Sequence, residues 1–160
     1  MKKLFFFFTF LVAACSGTAQ TPVPETIPQF KILTTDSVNI TLADLKKDKP
    51  VMIIYFQPDC GHCQHMMNQM RPEMDKFKNV QVILVTFVQL KAIRVFYKDY
   101  GLQKYPNFIV GTEGYSHPLL NIYNLKTTPY IALYDHKGKL YRTFEKAPSM
   151  NELEKAVNKL

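Results

Sequence analysis

The chain has too few cysteines for a disulfide framework, with three in 160 residues, at positions 15, 60 and 63. A small secreted scaffold stapled by several bridges is therefore excluded. There is no block of five or more like charges, although the formal charge is +7. With Lys2 and Lys3 set aside, eighteen basic against thirteen acidic residues leave +5, spread along the chain. That scatter argues against a nucleic-acid-binding stripe and for an ordinary basic surface. No internal repeat or low-complexity tract occurs beyond Phe5 to Phe8. At 47% hydrophobic and 21% charged residues the composition is globular, enough for one domain around a sizeable core.

A membrane-spanning run is also missing. Leu4 to Ala14 covers 11 positions, short of the roughly 18 that a spanning helix needs. It follows Lys2 and Lys3 and precedes small residues, the pattern of a secretory signal peptide. An amphipathic core helix would not be apolar on every face, as Phe5 to Phe8 would be. Cleavage after Ala19 makes 1–19 the leader. Val12-Ala13-Ala14-Cys15 resembles a bacterial lipobox, which would make Cys15 the lipidated first residue. The lipobox is preferred because it accounts for a cysteine in the leader. Residues 20–28, with Pro22, Pro24 and Pro28 and no apolar period, are expected to be a tether, and 29–160 the folded domain.

Within that domain, Phe30 to Ile40 reads as a hairpin around Thr34 to Ser37. Thr41 with Asp44 marks a short helical turn. Val51 to Phe56 is apolar throughout, as in a strand buried on both faces. A helix from about Gly61 follows, carrying Met66, Met70, Met74 and Phe77 at helical spacing, with a break expected at Pro72. Val80 to Val88 reads as a second buried strand, and Leu90 to Tyr100 as an amphipathic helix. Phe108 to Val110 reads as a strand, His117 to Tyr123 as a helical turn or two, and Tyr130 to Tyr134 as a strand. The turn Asp135 to Gly138 leads into Lys139 to Phe144, and Ser149 with Glu152 opens a last helix. Alternation of strands and helices predicts a layered α/β domain with a mostly parallel sheet and a late antiparallel hairpin.

Cys60-Gly61-His62-Cys63 lies where the first buried strand gives way to a helix. The free N–H groups and positive end of that helix stabilise a thiolate at Cys60. Cys63, one turn further in, is placed to attack a mixed disulfide. A bridge between cysteines this close closes almost no loop, so chemistry explains the pair better than stapling does.

The strand Val51–Phe56 leading to Pro58-Asp59-Cys60-Gly61-His62-Cys63 resembles the thioredoxin superfamily, in particular its exported TlpA/ResA-like branch. Thr128-Pro129 before the strand Tyr130–Tyr134 extends the similarity, which runs from Phe30 to Leu160. The resemblance implies a three-layer sandwich with a mixed central sheet, flanking helices and an N-terminal β-hairpin. It implies catalysis by Cys60 and Cys63, with Pro129 cis against them and Thr128, Gly61 and Pro58 contacting substrate. Thiol–disulfide exchange with protein substrates follows, without any cofactor, with a membrane partner recharging the pair. The protein is expected in the periplasm, touching the membrane only through a lipid anchor.

His62 is expected to stabilise the Cys60 thiolate and make the disulfide more oxidising. One departure from the thioredoxin pattern is Ile54, where a buried acid would manage the proton of Cys63; Glu73 is only a distant substitute. A peroxiredoxin pattern is missing too, because Ile53 and Gln57 occupy its proline and threonine positions. The rival reading is a copper-binding, metallochaperone-like domain on the same fold, using Cys60, Cys63 and a histidine, with Met66 and Met67 as possible thioether ligands. Helical spacing favours those methionines as core instead. A zinc site would need a second Cys/His pair, which the chain does not have.

Overall fold

The computed structural model describes residues 23–160; the expected leader, both cleavage points and Cys15 lie outside the described residues. β1 (Lys31–Thr34) and β2 (Asn39–Thr41) form the N-terminal hairpin, with Ile32 opposite Ile40. Thr41 then donates its N–H (2.8 Å) and hydroxyl (2.7 Å) to the Asp44 carboxylate and opens a short 3-10 turn. β3 (Val51–Tyr55) and β4 (Gln81–Thr86) are buried along their whole length. Between them α1 (Gly61–Met70) passes into a 3-10 helix over Arg71–Phe77. Pro72 sits in its first turn, where the missing N–H and the ring end the α-helical ladder. α2 (Leu90–Asp99) leads back to β5 (Phe108–Thr112). α3 (Pro118–Ile122), β6 (Tyr130–Tyr134), β7 (Leu140–Phe144) and α4 (Met150–Val157) complete the chain. Ser149 Oγ caps α4 by accepting the Glu152 N–H at 3.3 Å.

The strands form one sheet in the order β2-β1-β5-β4-β3-β6-β7. Only β3/β4 and β4/β5 are parallel, and the other four pairings are antiparallel. The sheet is mixed, as the resemblance implies, and not mostly parallel, as strand–helix alternation alone predicts. Strand–helix alternation governs only the β3–β4–β5 centre, where α1 and α2 make the crossovers. β6 joins the far edge of β3 in the opposite direction, and β1 does the same on β5. Gly111 permits that second approach, since a Cβ there would lie 3.0 Å from the Leu33 carbonyl oxygen.

Alternation along β3 divides the interior. Met52 and Ile54, with Phe56 beyond the strand, face α1, α2 and α4, packing with Met66, Met67, Met70, Phe96 and Leu153. Val51, Ile53 and Tyr55 face α3 and the N-terminal segment, packing with Phe30, Leu119, Tyr123 and Tyr130. Helices on one face, a sheet, and a helix with loops on the other make the three layers. Each such fully buried apolar side chain contributes about 1.5–3 kcal/mol.

Part of the segment expected as a tether over residues 20–28 is paired among the described residues. Thr26 bridges to Lys139, the Ile27 N–H donates to Gly138 O (3.1 Å), and the Leu140 N–H donates to Glu25 O (2.8 Å). These contacts cover the open edge at the start of β7, where unpaired backbone would otherwise face water. Pro24 and Pro28, which suggested a free linker, flank these pairings without occupying a donor position.

Candidate active site

The cysteine pair takes its position from the strand that precedes it. After Tyr55, the Phe56 N–H still donates to Val85 O (3.0 Å), and the Cys60 N–H closes a turn onto Gln57 O (3.1 Å). Cys60 is the N-cap of α1, with φ −77° and ψ 116°, and its carbonyl accepts the Gln64 N–H at 2.9 Å. Gln64 also reaches back with its side-chain amide to Pro58 O (2.7 Å), fixing the approach to the helix. The Cys60 sulfur therefore stands at the positive end of a ten-residue helix.

The two thiols differ in environment. Cys60 is partly exposed, and Cys63 is fully buried. Partial burial alone would raise Cys60. The Thr128 hydroxyl, the Cys63 thiol and the backbone N–H groups of Cys63 and His62 outweigh it and hold Cys60 below its ordinary value. Burial pushes Cys63 up to about 12; the Gln57 N–H opposes this, and neighbouring Cys60 adds to it. One thiol is thus prepared to ionise and the other to keep its proton.

The peptide bond between Thr128 and Pro129 is cis. It sets the Thr128 carbonyl oxygen 3.5 Å from Cys60 Sγ, within reach of the protonated thiol. Pro129 itself is buried immediately before β6. Gly61 is exposed and no other group lies within 4 Å of where its Cβ would stand, so the surface next to Cys60 is open. Cys60, Cys63, Thr128, Pro129, Gly61 and Pro58 are therefore gathered at one end of the sheet. His62 is there too, but its side chain is exposed and it reaches the Cys60 sulfur through its backbone N–H.

Ile54 is fully buried and brings no acid to Cys63. Glu73 does not replace one, because it is ion-paired with Lys76 at 3.3 Å on the surface. A buried acid absent from the sequence reading is Glu113, just beyond β5. It accepts the Tyr55 hydroxyl (2.6 Å) and the N–H groups of Leu119 (2.6 Å) and Leu120 (3.3 Å). Tyr55 in turn lines a cavity of about 130 Å³ with Gln57 and Thr128. Glu113 thus braces one wall of the site. Its only sequence signal was a lone acid at the end of an apolar strand.

Among the described residues, no three His, Cys, Asp or Glu side chains converge as a metal site. Met66 and Met67 are buried in the core while His62 and His65, the two histidines nearest the cysteines, are exposed, so the thioethers and imidazoles lie in different environments. No helix of the described residues is long and apolar enough to cross a membrane.

The architecture is shared with solved structures. A secreted disulfide oxidoreductase of Mycobacterium tuberculosis, homologous to Escherichia coli DsbE, aligns at TM-score 0.70 and 20% identity, over 82% of this chain and 96% of its own. A thioredoxin-like protein from Aeropyrum pernix aligns at 0.66 and 20%, over 82% and 89%. A peroxiredoxin-like protein from Aquifex aeolicus aligns at 0.68 and 16%, over 86% of each chain. At these identities the likeness establishes the thioredoxin-like fold. No curated protein matches the sequence. The AhpC/TSA family model matches residues 23–147, which includes both cysteines and the cis-proline. On the extent of that match, the chain belongs to the AhpC/TSA family.

Proposed function

We propose that the protein is an exported thiol–disulfide oxidoreductase of the TlpA/ResA-like kind, which exchanges disulfides with protein substrates through Cys60 and Cys63. The observation that carries this reading is the opposed pair of thiols at the start of α1, one lowered and reachable, the other raised and buried. The Cys60 thiolate attacks one sulfur of a substrate disulfide, forming a mixed disulfide and releasing the first substrate thiolate. Cys63 then gives up its proton and attacks Cys60 Sγ. The Cys60–Cys63 disulfide forms, and the second substrate thiolate leaves and takes up a proton. Two electrons pass from the pair to the substrate, and the reverse sequence oxidises a substrate dithiol. The Thr128 backbone, beside the sulfur, supports an extended substrate segment. A membrane partner resetting the pair, and a lipid on Cys15, belong to the same reading.

Equilibration with glutathione buffers of graded potential tests it. A loss of two hydrogens at Cys60 and Cys63, with catalysed reduction or reoxidation of a disulfide-bonded model protein, is the expected result. A pair that stays as two thiols in every buffer contradicts it.

The family match and the peroxiredoxin-like neighbour favour a second reading, in which Cys60 is oxidised by peroxide to a sulfenic acid and resolved by Cys63. Ile53, buried in mid-strand, and Gln57 stand where that chemistry has its proline and threonine. A consumption rate with hydrogen peroxide well above that of a free thiol would select this alternative.

A further inference from the structure

Lysines that the sequence scatters are brought together by the fold at the end of the sheet opposite Cys60. Lys46 and Lys49 precede β3, Lys78 precedes β4, and Lys104 precedes β5. Because these three strands are parallel, the loops entering them share one end of the sheet. There the four lysines line a single cavity of about 370 Å³ together with Tyr105 and Asn107. Cys60 lies past the other end of β3, five residues of roughly 3.3 Å each away.

Two side-chain amides hold those loops in place. Gln81, 7% exposed, accepts the Lys46 N–H (2.6 Å) and donates to the Lys46 (3.0 Å) and Lys49 (3.5 Å) carbonyls. Asn107 donates to the carbonyls of Phe77 and Val80, both at 3.0 Å, on either side of Lys78. None of the four ammonium groups forms an ion pair; the ion pairs among the described residues involve Lys76 and Arg142. Two carboxylates also line the cavity, Asp44 and Asp75. Asp44 is already engaged by the N–H and hydroxyl of Thr41. Four positive groups against two negative ones leave a local excess that a dianion would balance.

We propose that this cavity is a binding site for a phosphate-class oxyanion, held by Lys46, Lys49, Lys78 and Lys104. Lysine acts as a compact point-charge donor, suited to a tetrahedral multivalent anion, whereas a planar carboxylate favours the fork of arginine. The volume accommodates a diphosphate. A free phosphate and the headgroup of an anionic lipid both present this chemistry; the site is independent of the redox reading.

Calorimetric titration of the full chain with sodium pyrophosphate tests the proposal. Saturable binding is expected, with Kd raised at least tenfold by K78Q/K104Q and left unchanged by K91Q/K126Q at the Cys60 end. If K78Q/K104Q fails to fold, K46Q/K49Q is read in its place, with circular dichroism reporting intact structure. A second arm compares vesicles containing one-third phosphatidylglycerol with neutral phosphatidylcholine. An increment on the anionic vesicles that pyrophosphate displaces and the lysine variant removes assigns the phosphate to lipid. Pyrophosphate binding without that increment assigns it to a free anion. The proposal is overturned if neither probe binds, or if the lysine variant binds pyrophosphate as tightly as the wild type.

Discussion

Residue 62 offers Cys60 two different groups, a backbone N–H and an imidazole, and the structure directs the N–H at the sulfur while the ring is exposed. His62→Pro removes both and His62→Ala removes only the ring. The Pro variant should raise the Cys60 pKa clearly, and the Ala variant much less. For a two-electron couple, each pKa unit is worth about 30 mV, toward a more negative potential in the variant. Thiolate ultraviolet absorbance against pH, with a glutathione titration, reads both. Equal shifts in the two variants would return the tuning role to the imidazole. The sequence showed that residue 62 stands beside the nucleophile, but not which of its groups points there. Cys63 makes a prediction of opposite sign. Its pKa in the fold rises to about 12 from an ordinary 9.0, so the unfolded chain releases this proton first. The stability it contributes is complete below pH 9 and drains as pH rises toward 12. Between pH 8 and 10 the reduced protein should lose about 1.4 kcal/mol that a Cys63→Ser variant does not lose. Urea unfolding of both proteins across that range checks it, below most of the tyrosine titration. Parallel pH profiles would contradict the buried-thiol account.

At the scale of elements, the Glu113 carboxylate joins β5, the start of α3 and the end of β3. Glu113→Ala leaves the Tyr55 hydroxyl and the N–H groups of Leu119 and Leu120 without their acceptor. Hydrogen bonds to a charged group contribute about 1.5–3 kcal/mol each, and they are not additive, so a loss of about 2–4 kcal/mol is expected. Glu113→Gln, which keeps one acceptor oxygen, should lose less. Denaturant midpoints measure both, and a neutral Ala variant would show that the brace carries no load. Elements with local signals were readable from sequence. The buried run of β3, the Pro72 break and the Ser149 cap all appear where their residues placed them. The antiparallel joins of β6 to β3 and β1 to β5 were not readable from residue pattern, because those pairings are far apart in sequence. Glu113 was hidden for a similar reason, since its partner Tyr55 lies 58 positions away.

For the whole molecule, the arrangement separates two ends of one sheet, a thiol end and a lysine end. Val23 lies at the thiol end, lining a cavity of about 240 Å³ with Thr127, Tyr130 and Glu145. Cys15 is eight residues upstream, a reach of at most roughly 28 Å. A lipid on Cys15 would therefore keep Cys60 close to the membrane surface. Wild-type protein should partition with membranes, and Cys15→Ala should release it or block its processing. A soluble wild-type protein that begins at Gln20 would end the lipoprotein reading. The gathering of the four lysines was not legible either, because only the parallel register of β3, β4 and β5 brings their loops together. In the proposed reaction Cys60 attacks and Cys63 resolves. The most direct test of this order is covalent trapping in cells that express Cys63→Ser or Cys60→Ser. Mixed disulfides with protein substrates are expected on Cys60 in the first variant and almost none in the second. Equal trapping by the two variants, or trapping only through Cys63, would contradict it.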